Sequence, residues 1–285
     1  MHIAIGTREL CGGLLLAAGV LVGSLIGCQA LSGRSGERSG VVTTAVALGP
    51  GAGQARDGNE VLLLRDGPAA EQAMLAAIAQ ARDHIHLDTF AFADDVAGQR
   101  LARALMARQA RGVSVHVLRD AVGTRDTPAS FFDRLSSAGV QVQVSHPAEG
   151  GARYHRKLLV VDGHTAFVGG IPMLDGRTRQ AGQARDTDLR LSGPVVADLQ
   201  RLFLASWTAQ AGPPLPARRH FPAPATTGTQ TVRVIASHPD DDPHPVQALL
   251  LAALDNAQRS VVLGNARFMA DGELMEALEA AARRG

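Results

Sequence analysis

The chain has 285 residues, 46% of them hydrophobic, and its 28 basic residues nearly balance its 27 acidic ones. This hydrophobic content is enough for a buried core and excludes a generally disordered protein. The net charge of +1 argues against a dedicated nucleic-acid surface, which would need a basic face, although it leaves room for a local basic cleft. Both cysteines, Cys11 and Cys28, lie near the N-terminus, so the folded part has no disulfide framework.

Residues 1–28 are typical of an export signal. The segment from Leu10 to Gly27 is apolar and glycine-rich, but it is short and interrupted for a spanning helix. It ends in "LIGC", which resembles the lipobox of bacterial lipoproteins, where the signal is cut before a cysteine that is then acylated. This predicts lipidation at Cys28 and a lipoprotein of the cell envelope, anchored to the membrane and facing the periplasm. The alternatives are a membrane anchor that is not cleaved and a start codon that was assigned too far upstream.

Beyond this signal, residues 29–58 are rich in Gly, Ser and Ala and are predicted to be a flexible linker. Strand and helix patterns then alternate, which predicts an α/β domain over residues 59–211. Strands are expected at 61–64, 84–92, 113–118, 140–144, 155–161, 164–170 and 186–193. Helices are expected at 69–82, 96–112, 129–139 and 194–211. Residues 212–231 are proline-rich and are predicted to be a connector.

Residues 232–285 begin to repeat the first domain. "AAIAQARDHIHLDTFAF" (76–92) aligns with "AALDNAQRSVVLGNARF" (252–268), and residues 98–112 match 272–285 with a small gap. Chance likeness between two alanine-rich helices is the alternative, but the shared element order and the closing "RG" favour duplication. The first unit runs on for 43 residues from Gly112 to His155, whereas the second stops at Gly285. We therefore expect one complete repeat and the start of a second, truncated one.

Residues 155–170 form the pattern His-x-Lys-x4-Asp-x6-Gly-Gly, which contains Lys157, the only lysine of the chain. On a strand, His155 and Lys157 would point to the same face, and "DG" at 162–163 would make a hairpin turn. An ammonium can neutralise phosphodiester oxygens while an imidazole attacks phosphorus. Lysine suits this task as a compact charge, whereas the guanidinium fork of arginine has another geometry. A strand whose His and Lys merely face solvent is the alternative.

The extended pattern resembles the HKD motif of the phospholipase D superfamily. "RGVSVHVLRDAVGT" (111–124) and "RDTDLRLSGPVVADLQRLFLASW" (185–207) are similar to segments of bacterial cardiolipin synthases and related phosphatidyltransferases. The resemblance implies an α/β fold, a phospholipase D-like sandwich of a mixed β-sheet flanked by helices. It also implies a phospholipid substrate such as phosphatidylglycerol, handled through a phosphohistidine intermediate without a metal or other cofactor.

The resemblance assigns roles to individual residues. His155 matches the motif histidine, which is nucleophile in one copy of the motif and general acid in the other. Lys157 matches the phosphate-binding lysine, and Asp162 matches the motif aspartate, which shapes the turn. Asp186 matches an acid that orients the histidine, and a surface strand residue is the alternative for it.

Further residues are expected near the substrate. Gly169 and Gly170 would let the backbone approach the phosphate. Asp120 follows a predicted strand end, where α/β sites tend to lie, and is a candidate cleft residue. Relatives usually carry asparagine where Pro172 stands, so one hydrogen-bond donor is missing and activity is put in question.

Other histidines have weaker patterns. "HPDDDPHP" (238–245) has the density of a metal site, but its prolines predict a polar loop, so no metal is expected. His84 and His86 alternate on a strand and either line the cleft or are ordinary half-buried histidines. His116 and His164 have no partner pattern.

The family mechanism needs two motifs, and this sequence holds one. We expect the second beyond Gly285, with a homodimer as the alternative source. A phospholipid phosphatidyltransferase or phosphodiesterase is the leading hypothesis. The alternatives are a nuclease of the same superfamily and a non-catalytic half that binds anionic head groups or a partner.

Overall fold

The computed structural model describes residues 53–146, 155–171, 186–236, 244–263, 268 and 270–284, and the backbone of three short N-terminal strands. Cys28, Pro172 and most of the segment 238–245 lie outside the described residues. The chain divides into two compact units, one of Gly58–Gly228 and one of Met1–Asp57 with Thr229–Gly285.

The described elements follow one another in the order given by their numbers. The strands are β1 (His2–Gly6), β2 (Leu14–Ala17), β3 (Val20–Gly23), β4 (Arg56–Arg65), β5 (His84–Thr89), β6 (Ser114–Asp120), β7 (Gln141–Ser145), β8 (Lys157–Val161), β9 (Thr165–Gly169), β10 (Thr187–Ser192) and β11 (Gln230–Ile235). The helices are α1 (Asp66–Gln80), α2 (Val96–Gln109), α3 (Ala129–Ser137), α4 (Val196–Ala209), α5 (Ala217–His220), α6 (Pro245–Asp255) and α7 (Gly272–Arg284).

A mixed sheet forms the centre of the larger unit. Its described strands run in the order β4-β10-β9-β8-β5-β6-β7. The pairs β4–β10, β10–β9, β9–β8 and β8–β5 are antiparallel, whereas β5–β6 and β6–β7 are parallel. The parallel pairs are joined through helices, as parallel strands require. The fold class predicted from the sequence, an α/β domain with a mixed sheet flanked by helices, is confirmed.

Strand β5 is buried on both faces because helices cover both sides of the sheet. Ile85 and Leu87 belong to the apolar core that includes α1, α2 and α3 side chains such as Met74 and Leu105. The alternate residues of β5 point to the other face. There, α4 buries an apolar stripe at helical spacing: Val196, Leu199, Phe203 and Trp207.

The β8–β9 hairpin turns at Asp162 and Gly163, as predicted. Both residues have positive φ, +53° and +66°, the combination that defines type I′ turns. The His164 N–H closes the turn by donating to the Val161 carbonyl at 3.1 Å. The turn places β8 and β9 side by side. The first residue of β8, Lys157, and the last residue of β9, Gly169, therefore lie at the same end of these two strands.

In the smaller unit, β1 pairs antiparallel with β11, and β2 pairs antiparallel with β3. Helices α6 and α7 form where the proposed repeat needs them. Residues 260–262, which align with the start of β5, carry no regular structure, and residues 264–267 lie outside the description, so the repeat stays a prediction. Among the described residues, no helix has the length and apolarity to span a membrane.

Candidate active site at the end of strand β8

His155 and Lys157 lie side by side at the start of β8. The Lys157 Nζ is 3.4 Å from both His155 ring nitrogens, Nδ1 and Nε2. His155 is exposed, whereas Lys157 is only 9% exposed, so the pair presents an accessible ring backed by a buried cation. Arg156, between them, points to the other face and donates a hydrogen bond to Ser206 Oγ. The shared face predicted for His155 and Lys157 is therefore present.

Phe90 supports this pair from the neighbouring strand. Its ring packs on His155 with centroids 4.4 Å apart and an interplanar angle of 51°. The Lys157 Nζ lies 5.6 Å from the same ring, within the range of a cation–π interaction. The Phe90 N–H donates to the Arg156 carbonyl at 2.9 Å, which ties the end of β5 to the motif. Sequence reasoning did not single out Phe90, because nothing local links it to residue 155.

The negative charges of two carboxylates favour the charged form of Lys157. Burial lowers the pKa of Lys157 to about 8, while the negative charges of Asp186 and Asp188 act against this shift. The ammonium form therefore still predominates at neutral pH. An amine with a pKa near 8 can release or take up a proton more readily than an exposed lysine.

Asp188 was not predicted as a site residue. It is 2% exposed, and its Oδ1 accepts a hydrogen bond from the Ile171 N–H at 3.1 Å. Burial raises its pKa to about 7. The signal for it was present in the sequence, because Asp186 and Asp188 are two apart at a strand and so point to one face.

Asp186 lies immediately before β10 and is partly exposed. Its Oδ1 accepts the Thr187 N–H at 2.7 Å, and burial is the main cause that raises the pKa of this carboxyl. The structure brings Asp186 close to Lys157. Its role in orienting His155 stays a prediction.

The paired glycines leave room for these carboxylates. A Cβ on Gly169 would lie 1.8 Å from Asp188 Oδ1, and one on Gly170 would lie 2.2 Å from Asp186 Oδ1. At Gly169 the backbone atoms Thr187 O and Asp188 Cα would lie 2.5 and 2.6 Å from the Cβ as well, so this position needs glycine for a reason inside the protein. At Gly170 the neighbouring atoms belong to the Asp186 side chain, which would have to move. Contact of these glycines with a phosphate stays a prediction.

Asp162 is a structural residue of the hairpin. Its Oδ2 accepts the Arg82 N–H at 2.8 Å, and its Oδ1 accepts those of Asp83 and His84 at 2.8 and 2.9 Å. These bonds fasten the β8–β9 turn to the start of β5. The geometry agrees with the prediction that this aspartate shapes the turn.

Asp120 ends β6 and organises its own loop. Its Oδ1 accepts the N–H groups of Val122 and Gly123 at 2.8 and 2.7 Å. It is 2% exposed, and its Oδ2 has no hydrogen-bond partner among the described residues. Alternation along β6 puts its side chain on the α4 face, together with His116 and opposite to the face of Lys157. Phosphate binding by Asp120 stays a prediction.

Four of the described histidines form a buried cluster on the α4 face. His86 lies 4.7 to 5.0 Å, centroid to centroid, from His84, His116 and His220, and stacks on Phe203 at 4.4 Å. All four are at most 3% exposed. No group of three or more His, Cys, Asp or Glu among the described residues is arranged to hold a metal ion. His84 and His86 thus pack under α4 instead of lining the cleft.

Comparison with known proteins matches this architecture to one family. Residues 74–203 match the family model described as "Cardiolipin synthase, PLD-like domain". The chain is 32% identical over 239 residues to the cardiolipin synthase of Listeria innocua, and 32% identical over 241 residues to the major cardiolipin synthase of Bacillus subtilis. Each alignment covers 80% of this chain and 50% of the relative, so the chain spans about half the length of the relatives it matches.

Among solved structures, the phospholipase D family member Nuc from Salmonella typhimurium is similar with a TM-score of 0.44 and 17% identity, over 53% of this chain and 95% of that one. The family model covers β5 to β10 and the residues of the His155–Lys157 site. The chain therefore carries a PLD-like domain over residues 74–203 and is a homologue of cardiolipin synthases.

Proposed function

We propose that the protein transfers the phosphatidyl group of a phospholipid such as phosphatidylglycerol to an alcohol, or to water. The observation that carries this proposal is the exposed His155 ring beside the buried ammonium of Lys157, with 3.4 Å between Nζ and the ring nitrogens. This pairing gives a nucleophile and a fixed positive charge at one point. Similarity to cardiolipin synthases supports phospholipid as the substrate class.

The reaction proceeds in two displacements. A ring nitrogen of His155 attacks phosphorus with its lone pair, and the bond from phosphorus to the head-group oxygen breaks. The head-group alcohol leaves after it takes up a proton, and the phosphatidyl group stays on the histidine. The acceptor alcohol or water then attacks phosphorus, gives up its proton, and releases the histidine. Lys157 stabilises the negative charge on the non-bridging oxygens in both steps.

The leaving oxygen needs an acid that His155, as the nucleophile, does not supply. We propose that a second histidine motif provides this proton, either from a second copy of the chain or from another part of the protein. Asp186 would hold the His155 ring in one tautomer and stabilise its positive charge after attack.

We further propose that lipidation at Cys28 holds the domain at the periplasmic membrane surface. The "LIGC" sequence supports this placement, and residues 29–58 would tether the domain close to its lipid substrate. A Cys28→Ser variant should then leave the membrane fraction, while a lipid-labelled wild-type chain stays in it.

The direct test follows glycerol release from vesicles of phosphatidylglycerol. We expect the His155→Ala variant to lose release by at least 1,000-fold, on the order of the loss for a removed nucleophile. His164, an exposed histidine on the turn of the same hairpin, provides the matched control, and His164→Ala should retain wild-type release. Equal release by wild type and His155→Ala would contradict the proposal. Cleavage of single-stranded DNA without glycerol release would instead identify a nuclease.

A further inference from the structure

Gly169 opens a gap in the sheet between Lys157 and Asp188. Asp188 on β10 is directly opposite Gly169 on β9. Continuing the β8–β9 register by one residue beyond Leu158 and Val168 places Lys157 opposite Gly169 from the other side. The three residues therefore form one row across three neighbouring strands, with no side chain at its centre.

Residues in one row of a sheet point to the same face. Neighbouring strands are about 4.8 Å apart, so β8 and β10 are separated by about 10 Å, with β9 between them. A side chain on β9 would fill the space between Lys157 and Asp188. With glycine there, the two flanking side chains can lean toward each other.

The Asp188 carboxylate leans into this gap. Its Oδ1 lies 1.8 Å from the ideal position of a Cβ on residue 169, and two backbone atoms of β10, the Thr187 carbonyl oxygen and the Asp188 Cα, lie 2.5 and 2.6 Å from that position. Lys157 and Asp188 line the same small cavity, together with apolar side chains such as Met74 and Phe167 and the polar residues Asp88 and Thr89. In this buried position a charge pair is screened less than at the surface.

We propose that Asp188 is a positioning residue, which reaches across Gly169 and holds the Lys157 ammonium beside His155. Its Oδ1 is itself fixed by the Ile171 N–H, so the carboxylate has one defined place. Glycine at 169 leaves room both for this carboxylate and for the adjoining β10 backbone. The inference rests on the proposed function only for what Lys157 does, not for how Lys157 is held.

The other charged groups around Lys157 define the background for a test. They are His155 next to its own strand, Asp88 on β5, which lines the same cavity, and Asp186 before β10, with Asp66 at the start of α1 facing Asp186. Asp186 also raises the pKa of Lys157, so a variant of each aspartate is needed.

The sequence offers a direct readout, because Lys157 is the only lysine of the chain. In the full chain grown with ¹³Cε-labelled lysine and carrying no lysine in any tag, one side-chain NMR signal reports the titration of Lys157. We expect Asp188→Asn to lower this pKa by about one unit or more, the effect of losing an opposite charge nearby. Gly169→Ala should lower it too, since its Cβ displaces the carboxylate together with the adjoining β10 backbone.

Glu60→Gln is the matched control, an exposed acid on β4 in the same sheet, and it should leave the pKa unchanged. An unchanged pKa in a folded Asp188→Asn variant, with a fall only in Asp186→Asn, would overturn the proposal. Asp188→Asn is nearly isosteric, so it decides the matter even where Gly169→Ala does not fold. The titration needs no substrate. An unchanged Lys157 pKa in Asp188→Asn would therefore not count against phosphatidyl transfer, and an absence of transfer would not count against the measured pKa change.

Discussion

Replacing Asp162 should destabilise the protein without removing its chemistry. Its carboxylate accepts three backbone N–H groups, from Arg82, Asp83 and His84, at 2.8 to 2.9 Å. The two bonds to Oδ1 are partly buried and the bond to Oδ2 is exposed, so the first two contribute most. Hydrogen bonds to a charged group contribute about 1.5 kcal/mol or more each when protected from water. Alanine at the φ of +53° adds a further cost of about 1 kcal/mol.

Asp162→Ala should therefore lower the free energy of unfolding by about 4 kcal/mol. With a urea dependence of about 2 kcal/mol per molar, the midpoint of unfolding should fall by about 2 M. Asp162→Asn keeps one acceptor oxygen and tolerates positive φ, so it should lose only about 1–2 kcal/mol. His164→Ala in the same turn should unfold as wild type does. An unchanged midpoint for Asp162→Ala would refute the structural role, and loss of lipid turnover by a fully stable Asp162→Asn would place this aspartate in the chemistry.

Two further perturbations test other parts of the structure. Lys157→Arg should lose most of the glycerol release. The side chain of residue 157 is buried, with only 9% of the lysine exposed, and the wider guanidinium would have little room there. A fully active variant would refute the need for a compact ammonium. Acid should destabilise the protein through the histidine cluster, since burial lowers the pKa of His86 well below its ordinary value and those of His116 and His220 to about 4. The unfolded chain protonates these histidines below about pH 6.5 and the folded chain does so only near pH 4, so their contribution to stability is present above pH 6.5 and is lost progressively toward pH 4. Buried Asp88 and Asp188, whose pKa values burial raises to about 6 and about 7, act in the opposite direction, so the test is the difference in urea unfolding between wild type and His116→Gln over this range. We expect that difference to change with pH; a constant difference would contradict the assignment.

Much of the larger unit could be predicted from the sequence because its signals are local. The alternation at 84–92, the leucine spacing at 96–112 and the Asp-Gly turn each specify their element without help from distant residues. Boundaries differ by a few residues: α1 begins at Asp66 and not at 69, since Pro68 is tolerated in a first helical turn. Helix α5 was missed because it lies among the prolines of residues 212–231. Strand β11 was missed although residues 231–234, Thr-Val-Arg-Val, alternate as a strand does.

The site was predicted only as far as the motif reaches. His155, Lys157 and Asp162 follow from one short pattern, and their arrangement is as the strand and turn require. Phe90 reaches the site through strand pairing, which sequence spacing does not encode. The spacing of Asp188 from Asp186 indicates their shared face, but its place across Gly169 from Lys157 comes from strand pairing. The histidine cluster was missed for the same reason, since the register that puts His116 beside His86 joins residues 30 positions apart.

In the proposed reaction, His155 carries the phosphatidyl group between the two displacements. The most direct measurement is mass spectrometry of the full chain, quenched at alkaline pH during turnover of phosphatidylglycerol, with fragmentation to locate the added mass. We predict a phosphatidyl adduct on His155 that disappears in acid and is absent from His155→Ala but present in His164→Ala. Turnover with no adduct on His155, or an adduct on another residue, would contradict the claim.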